Sequence, residues 1–176
     1  LPSEKFSTIT PEIAEELLGQ YGIVKHNVRV ISKLKPNLIT ESCPNPEEVV
    51  EQEVLQSLVR TGLAKLDGYL LHTPENFYNK RIIAGLGQCK EKGLIDHFGV
   101  SVYETEHALD IVKSGEVDYI QIMLSVFDQR LAKTDFFNIA KQNGVTVFAR
   151  SVFLQGLIVM EENKIPPHLD IAKDYL

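Results

Sequence analysis

The stretch LDGYLLHTPEN, from Leu66 to Asn76, is an apolar run that ends in a histidine and is followed by a Thr-Pro pair. A short apolar run closed by a proline predicts a buried β-strand with His72 at its carboxyl end. Taken alone, a histidine at such a position is more often a hydrogen-bonded structural residue than a catalyst, because imidazole readily bonds a neighbouring carbonyl. The role of His72 therefore depends on what the other strands carry at their carboxyl ends.

From residue 28 onward, β-rich runs alternate with helical patterns. The predicted strands are VRVISKL (28–34), LDGYLLH (66–72), HFGVSV (97–102), VDYIQIML (117–124) and VTVFARSV (145–152). Start and stop signals mark the helices between them: Asn45 caps one that ends at Gly62, Thr105 caps another, and a further helix begins near Thr134. This βα repeat predicts a parallel sheet, and the near-continuous apolar strands predict that both of its faces are covered.

Two architectures contain such a sheet: an open, doubly wound sheet and a closed (β/α)8 TIM barrel. No strand is followed by the G-x-G-x-x-G turn that is typical of dinucleotide-binding open sheets. Polar side chains recur instead toward the carboxyl ends of the five strands, where a barrel has its active site. They are Lys33, His72, Ser101, Gln121, and Arg150 with Ser151. The pattern favours a single α/β domain of TIM-barrel type over residues 1–176, with these side chains at one common site.

Composition narrows the class of function. The 176 residues are 44% hydrophobic and 24% charged, and a net charge of −6 without any basic block argues against nucleic-acid binding. No apolar run approaches the roughly 20 residues that cross a bilayer, so no membrane association is expected. Cys43 and Cys89 stand far apart without paired histidines nearby, so we predict no disulfide, no metal site and a cytoplasmic protein. The oligomeric state stays open.

The remaining histidines do not share the placement of His72 at a strand end, and we interpret them as structural or solvated. They are His26, His97, His107 and His168.

Five segments occur in a diagnostic order from about Val28 to Met160. They are ISKL, LDGYLLHTP, KEKGLIDHFGVSVYE, VDYIQIMLSVFDQRL and GVTVFARSVFLQGLI. In this order and at these spacings they resemble the aldo-keto reductase superfamily, whose members are NAD(P)H-dependent carbonyl reductases built on a (β/α)8 barrel. The segment RSVFLQG is most similar to a bacterial branch in which arginine replaces the usual tyrosine.

The resemblance implies hydride transfer between a nicotinamide ring and a carbonyl carbon, with NADP(H) as cofactor and NAD(H) not excluded. The substrate would be an aldehyde or ketone. Lys33 would match the lysine that lowers the pKa of a catalytic tyrosine, and His72 the histidine that hydrogen-bonds the substrate carbonyl. Ser101 and Gln121 would hold the nicotinamide carboxamide, and Arg150 would stack on the ring. The turn near the pyrophosphate would be lined by Ser151, Phe153, Leu154 and Gly156.

The chain departs from the family pattern at the catalytic aspartate and tyrosine, which the family carries in a D-T-A-x-x-Y-G segment. The helix that follows this segment is matched by AEELLG, and the closest placement then puts Ser7 at the aspartate and Glu12 at the tyrosine. Val102 and Ser125 stand where the family has asparagines. These departures keep a rival function open: a catalytically degenerate protein that binds a nucleotide or a protein partner without turnover.

Length is a further departure. A (β/α)8 barrel usually needs roughly 250 residues, and the predicted strands resemble only the middle of the barrel. The family segment that binds the adenosine 2′-phosphate has no counterpart before Leu176. We therefore expect an incomplete barrel in this chain.

Overall fold

A computed structural model describes residues 10–40 and 42–175, with the side chains of 172–175 left out. The helices are α1 (Pro11–Tyr21), α2 (Pro46–Thr61), α3 (Lys80–Glu91), α4 (Thr105–Ser114) and α5 (Phe136–Gln142). The strands are β1 (Ile31–Leu34), β2 (Leu66–Leu71), β3 (Ile95–Ser101), β4 (Tyr119–Met123) and β5 (Thr146–Arg150). Short 3-10 turns lie at Ile23–Lys25, Pro74–Tyr78, Leu131–Lys133, Leu154–Val159, Glu162–Lys164 and Pro167–Tyr175.

All strand pairings are parallel, and the strand order in space is the order in sequence, β1-β2-β3-β4-β5. Because crossovers between parallel strands are right-handed, a sheet that always advances in one direction has all its helices on one face. A doubly wound sheet reverses its order and has helices on both faces. The described residues therefore form an arc of the barrel type, with β1 and β5 as its edges, and the prediction of an incomplete barrel is confirmed.

The helices and one face of the strands share a single apolar core. Its fully buried members include Leu34, Leu71, Val100 and Ile120 from the strands, and Val54, Leu86, Ile111 and Phe136 from the helices. Burying each side chain of this size contributes about 1.5–3 kcal/mol. The core thus holds the strands in place from one side only.

The expectation that both faces of every strand are covered was wrong for the fifth strand. Thr146 and Ala149 of β5 are exposed, because β5 is an edge of the described sheet and no element among the described residues covers it there. The face opposite the helices, here called the inner face, carries the polar side chains at the strand ends.

Two glycines give the inner face its shape. Gly68 of β2 lies under the ring of Tyr119, and an added Cβ would lie 2.9 Å from two atoms of that ring. Gly99 of β3 is paired with Tyr119 in the sheet, and a Cβ there would overlap the Tyr119 carbonyl. Since Gly68 has no side chain, the Tyr119 ring can lie over β2, and the missing side chain of Gly99 lets the backbone of Tyr119 approach β3 closely.

Several predicted boundaries shift. β1 begins at Ile31 and not at Val28, and the residue that caps α4 is Glu104 and not Thr105. The last helix begins at Phe136 because Thr134 ends a 3-10 turn, and its hydroxyl accepts a hydrogen bond from the Phe136 amide at 3.2 Å. The predicted helix from Asn45 to Gly62 is confirmed.

Helix α1 is fixed beside β1 by a buried carboxylate. Glu15 is 3% exposed, and it accepts hydrogen bonds from Arg60 Nε of α2 at 2.5 Å and from the Ser32 hydroxyl of β1. Breaking such a buried pair by removing one partner is strongly destabilising, because a charge is left uncompensated. The start of α1 is therefore held close to the strand that carries Lys33.

Candidate active site

Three of the predicted side chains meet in one hydrogen-bonded group. Lys33 Nζ donates to Gln121 Oε1 at 2.6 Å, and the Ser101 hydroxyl donates to the same oxygen at 3.1 Å. Lys33 and Gln121 are on β1 and β4, which two strands separate. Side chains stand roughly perpendicular to their sheet, so this contact requires the inner face to be concave. The curvature of the arc thus brings distant strand ends together. The concave opening that Lys33, Ser101 and Gln121 line at the carboxyl ends of the strands is here called the mouth.

His72 and Arg150 reach the same end of the sheet with polar atoms that have no partner. His72 Nδ1 and the Nε and Nη2 atoms of Arg150 are buried and make no hydrogen bond to any described residue. The guanidinium carbon of Arg150 lies 4.1 Å from the ring centroid of Tyr103, so one face of this group is occupied. Buried donors without partners are rare in folded proteins and call for an explanation.

The mouth is electropositive. Burial lowers the pKa of Lys33, and the nearby charge of Arg150 lowers it further. Burial also lowers the pKa of His72, with smaller contributions from Lys33 and Arg150. None of these three side chains forms an ion pair with a carboxylate of the described residues. Positive charge at the mouth is therefore left without internal compensation.

The residues that the sequence placed at the family's aspartate and tyrosine do not join this group. Ser7 lies outside the described residues. Glu12 is in the first turn of α1, and its carboxylate lies 3.2 Å from Lys35 Nζ, while Lys33 bonds to Gln121. Within the described part of the chain, no tyrosine hydroxyl hydrogen-bonds to Lys33 or His72.

Two cavities open near the mouth. One of about 340 Å³ lies between α1 and β1, and Lys33 and His72 form part of its wall. The other, of about 450 Å³, lies under the loops after β1 and β2. The larger cavity is bordered mainly by polar residues: Asn37, Thr40, Thr73, Glu75, Asn76, Tyr78 and Asn79, with Ile39 and Ile82.

The segment after β5 has an unusual backbone. Ser151, Leu154 and Gln155 all have positive φ, at 58°, 47° and 56°, a conformation that non-glycine residues adopt uncommonly. Phe153 is 63% exposed, and Gly156 follows with φ 93°. The predicted binding residues of this segment therefore lie together in one tight turn directly after Arg150.

The two positions at which the family has asparagines do not face the mouth as free polar groups. Val102 is 1% exposed and belongs to the core between helices and sheet. The Ser125 hydroxyl accepts hydrogen bonds from the amides of Phe127 and Asp128 at 3.2 and 3.1 Å, and so closes a local turn.

Sequence reasoning missed Tyr103 and a polar network at the opposite end of the sheet. In this network the Tyr119 hydroxyl donates to Asp67 at 3.0 Å, and the rings of His97 and Tyr119 stack with centroids 4.4 Å apart. His97 Nδ1 lies 2.9 Å from the Asp67 carbonyl oxygen. The only indication of Tyr103 in the sequence was its position two residues after Ser101, a predicted site residue. No pattern in the sequence indicated the network.

The described residues contain neither a metal-binding cluster nor a membrane-spanning helix. No group of three His, Cys, Asp or Glu side chains is close enough to hold a metal ion. Of the helices in residues 10–40 and 42–175, none combines the length and the apolar character that a membrane crossing requires.

Comparison with known proteins gives consistent results. The sequence profile described as "Aldo/keto reductase family" matches residues 10–174. The NADH-specific methylglyoxal reductase of Escherichia coli (strain K12) is 29% identical over 115 residues, which cover 63% of this chain and 35% of that protein. The chain thus spans about a third of the length of this curated relative.

Solved structures share the fold. An aldo/keto reductase from Klebsiella pneumoniae in complex with NADP and acetate superimposes with a TM-score of 0.67 and 18% identity, over 93% of this chain and 57% of that one. The glycerol dehydrogenase of Gluconobacter oxydans gives a TM-score of 0.66 and 23% identity, over 92% and 53%. The profile match over nearly all of its residues shows that the chain belongs to the aldo/keto reductase family.

Proposed function

We propose that the whole protein carrying this chain is an oxidoreductase that reduces an aldehyde or ketone with NADPH or NADH. The observation that carries the proposal is the convergence of Lys33, His72, Ser101, Gln121 and Arg150 at one concave mouth. Relatives with either cofactor support the choice: the methylglyoxal reductase is NADH-specific, and the Klebsiella structure holds NADP. Two free cysteines suit a reducing compartment, so we place the protein in the cytoplasm.

The polar groups at the mouth fit a nicotinamide. Gln121 Oε1 already accepts two hydrogen bonds, which leaves its amide NH2 to donate to a carboxamide oxygen, and Ser101 fixes the orientation of Gln121. Arg150 has one face on Tyr103, and its opposite face would stack on the nicotinamide ring. The tight turn of Ser151, Phe153, Leu154 and Gly156 would contact the pyrophosphate. When bound, the cofactor supplies the hydride.

Lys33 and His72 handle the charge that develops on the carbonyl oxygen. The lowered pKa of Lys33 makes its ammonium a better proton donor, and its bond to Gln121 holds it in place. The lowered pKa of His72 keeps its ring neutral near pH 7, so one ring nitrogen donates a hydrogen bond toward the same oxygen. Both residues thus stabilise negative charge that is larger in the transition state than in the ground state.

A second candidate is a protein that binds the nucleotide without turnover. The pairing of Glu12 with Lys35 favours it, because the residue aligned with the catalytic tyrosine then takes no part in the mouth. The two candidates differ in chemistry and not in cofactor binding.

The test is NADPH oxidation by the whole protein on a panel of aldehydes and ketones. We expect Lys33→Met and His72→Ala to lower kcat/KM by roughly two to four orders of magnitude, with NADPH affinity, measured by fluorescence, nearly unchanged. Lys35→Met is the matched control, since Lys35 lies two residues away and pairs with Glu12 and Glu53. Cofactor binding without turnover on any substrate would support the second candidate.

A further inference from the structure

One edge of the Arg150 guanidinium is buried and unused. Nε and Nη2 lie on the same side of the planar group, and neither has a partner among the described residues. Two parallel N–H donors in this arrangement match the two oxygens of a carboxylate or phosphate. Because the guanidinium stacks on the Tyr103 ring, the orientation of its plane, and hence the direction of its two free N–H donors, is fixed.

Elsewhere in the chain, the same edge of another arginine binds a carboxylate. Arg130 donates from Nε to Asp128 Oδ1 and from Nη2 to Asp128 Oδ2, each at 3.0 Å. No described carboxylate occupies the corresponding position at Arg150, although Lys33 adds positive charge beside it and the neutral His72 ring adds hydrogen-bonding capacity. The Nε and Nη2 donors of Arg150 are thus buried, positively charged and without an anion from the described chain. This arrangement suits the binding of an external anion.

We infer that the Nε–Nη2 edge of Arg150 binds a planar or tetrahedral oxyanion, a carboxylate or a phosphate, in a bidentate manner. The inference deepens the proposed function, on which it rests where the anion is part of the substrate: the substrate would then be a carbonyl compound that carries a carboxylate. The other source of the same chemistry is a phosphate of the bound cofactor. Arg150 thus favours ligands with a negatively charged group at the site where Lys33 and His72 act.

Binding is tested first, without turnover. Benzoate and inorganic phosphate are titrated calorimetrically into the whole protein, the Arg150→Lys variant and the Arg130→Lys control. Lysine keeps the positive charge but lacks the two parallel N–H donors. Arg150→Lys should therefore lower the affinity for each anion about 10- to 100-fold. Arg130→Lys should bind as the wild type does, because its own fork is occupied by Asp128. Thermal unfolding of each variant verifies that it is folded.

Kinetics then separates the two sources. With 4-carboxybenzaldehyde and its neutral methyl ester, a loss of kcat/KM in Arg150→Lys confined to the carboxylate assigns the anion to the substrate. An equal loss on both, with weaker binding of both NADPH and inorganic phosphate, assigns it to the cofactor. A wild type that binds the anions but never turns over contradicts the proposed function and leaves the anion site standing. Unchanged affinity of Arg150→Lys for both anions would overturn the inference.

Discussion

The two ends of the sheet's inner surface use similar residues in opposite ways. At the amino end, Asp67, His97 and Tyr119 bond and stack with one another. At the carboxyl end, buried polar atoms of His72 and Arg150 have no partner among the described residues. An unpaired buried donor costs about 1–3 kcal/mol. The amino end therefore stabilises the fold, while the carboxyl end lowers its stability in exchange for groups that are ready to bind a ligand.

The largest effect is expected where β3 passes between the two ends. Gly99→Ala places a Cβ against the Tyr119 carbonyl, and because backbone must move, we expect the free energy of unfolding to fall by about 3 kcal/mol in urea titrations. Gly87→Ala is the control: nothing lies within 4 Å of that site on α3, so it should raise stability by about 0.5–1 kcal/mol. Equal stability of the two variants would mean that β3 and β4 are not packed as described.

At the amino end, Asp67→Ala should cost about 2 kcal/mol of unfolding free energy, because the Tyr119 hydroxyl, on a residue that is 5% exposed, loses its acceptor. We expect kcat/KM to stay within about twofold of the wild type, since the hydrogen bonds and ring contacts of this network, within the described residues, do not include the side chains at the mouth. Asp96→Ala breaks only the half-exposed pair with Lys65, and should cost less than about 0.5 kcal/mol. A large loss of activity in Asp67→Ala would contradict the division between the two ends.

At the carboxyl end, Lys33→Met should raise stability by about 1 kcal/mol, although we expect the same substitution to remove activity. The substitution relieves the burial of an ammonium beside Arg150, and Gln121 Oε1 keeps its bond from Ser101. Thermal unfolding at neutral pH measures the change, with Lys35→Met as the control on the same strand end. A marked loss of stability would show that Lys33 is structural.

The smallest effect is a pH dependence. Because the folded pKa of His72 lies below the unfolded value, the unfolded chain binds the proton first, and stability falls as the pH drops below about 6.5 toward the folded pKa. His72→Gln should remove this part of the loss between pH 7.5 and pH 5.5 in urea titrations. An identical loss in wild type and variant would mean that the His72 ring is not held neutral by its surroundings.

The strands and their polar ends were predictable because both depend on local pattern: apolar-rich runs of six to eight residues, with polar residues toward the carboxyl end of each run. The placement of Lys33, Ser101 and Gln121 in one group follows once the strands are parallel and curved. The roles assigned to these residues remain predictions.

Contacts between distant residues were not predictable. The Glu15–Arg60 pair and the stacking of Tyr103 on Arg150 join elements that only the folded chain brings together. Whether Glu12 pairs with Lys33 or with Lys35 depends on the position of α1 against β1, which no local pattern encodes. Such long-range polar contacts decide which groups are satisfied, and hence which are left for a ligand.

The most direct test compares Lys33→Met with Asp67→Ala in one experiment that measures both kcat/KM for NADPH-dependent carbonyl reduction and the free energy of unfolding. The expected result is a crossover. Lys33→Met loses about three orders of magnitude in kcat/KM and keeps or gains stability, whereas Asp67→Ala keeps its activity and loses about 2 kcal/mol. Wild-type turnover in Lys33→Met would contradict the assignment of the carboxyl end as the active site.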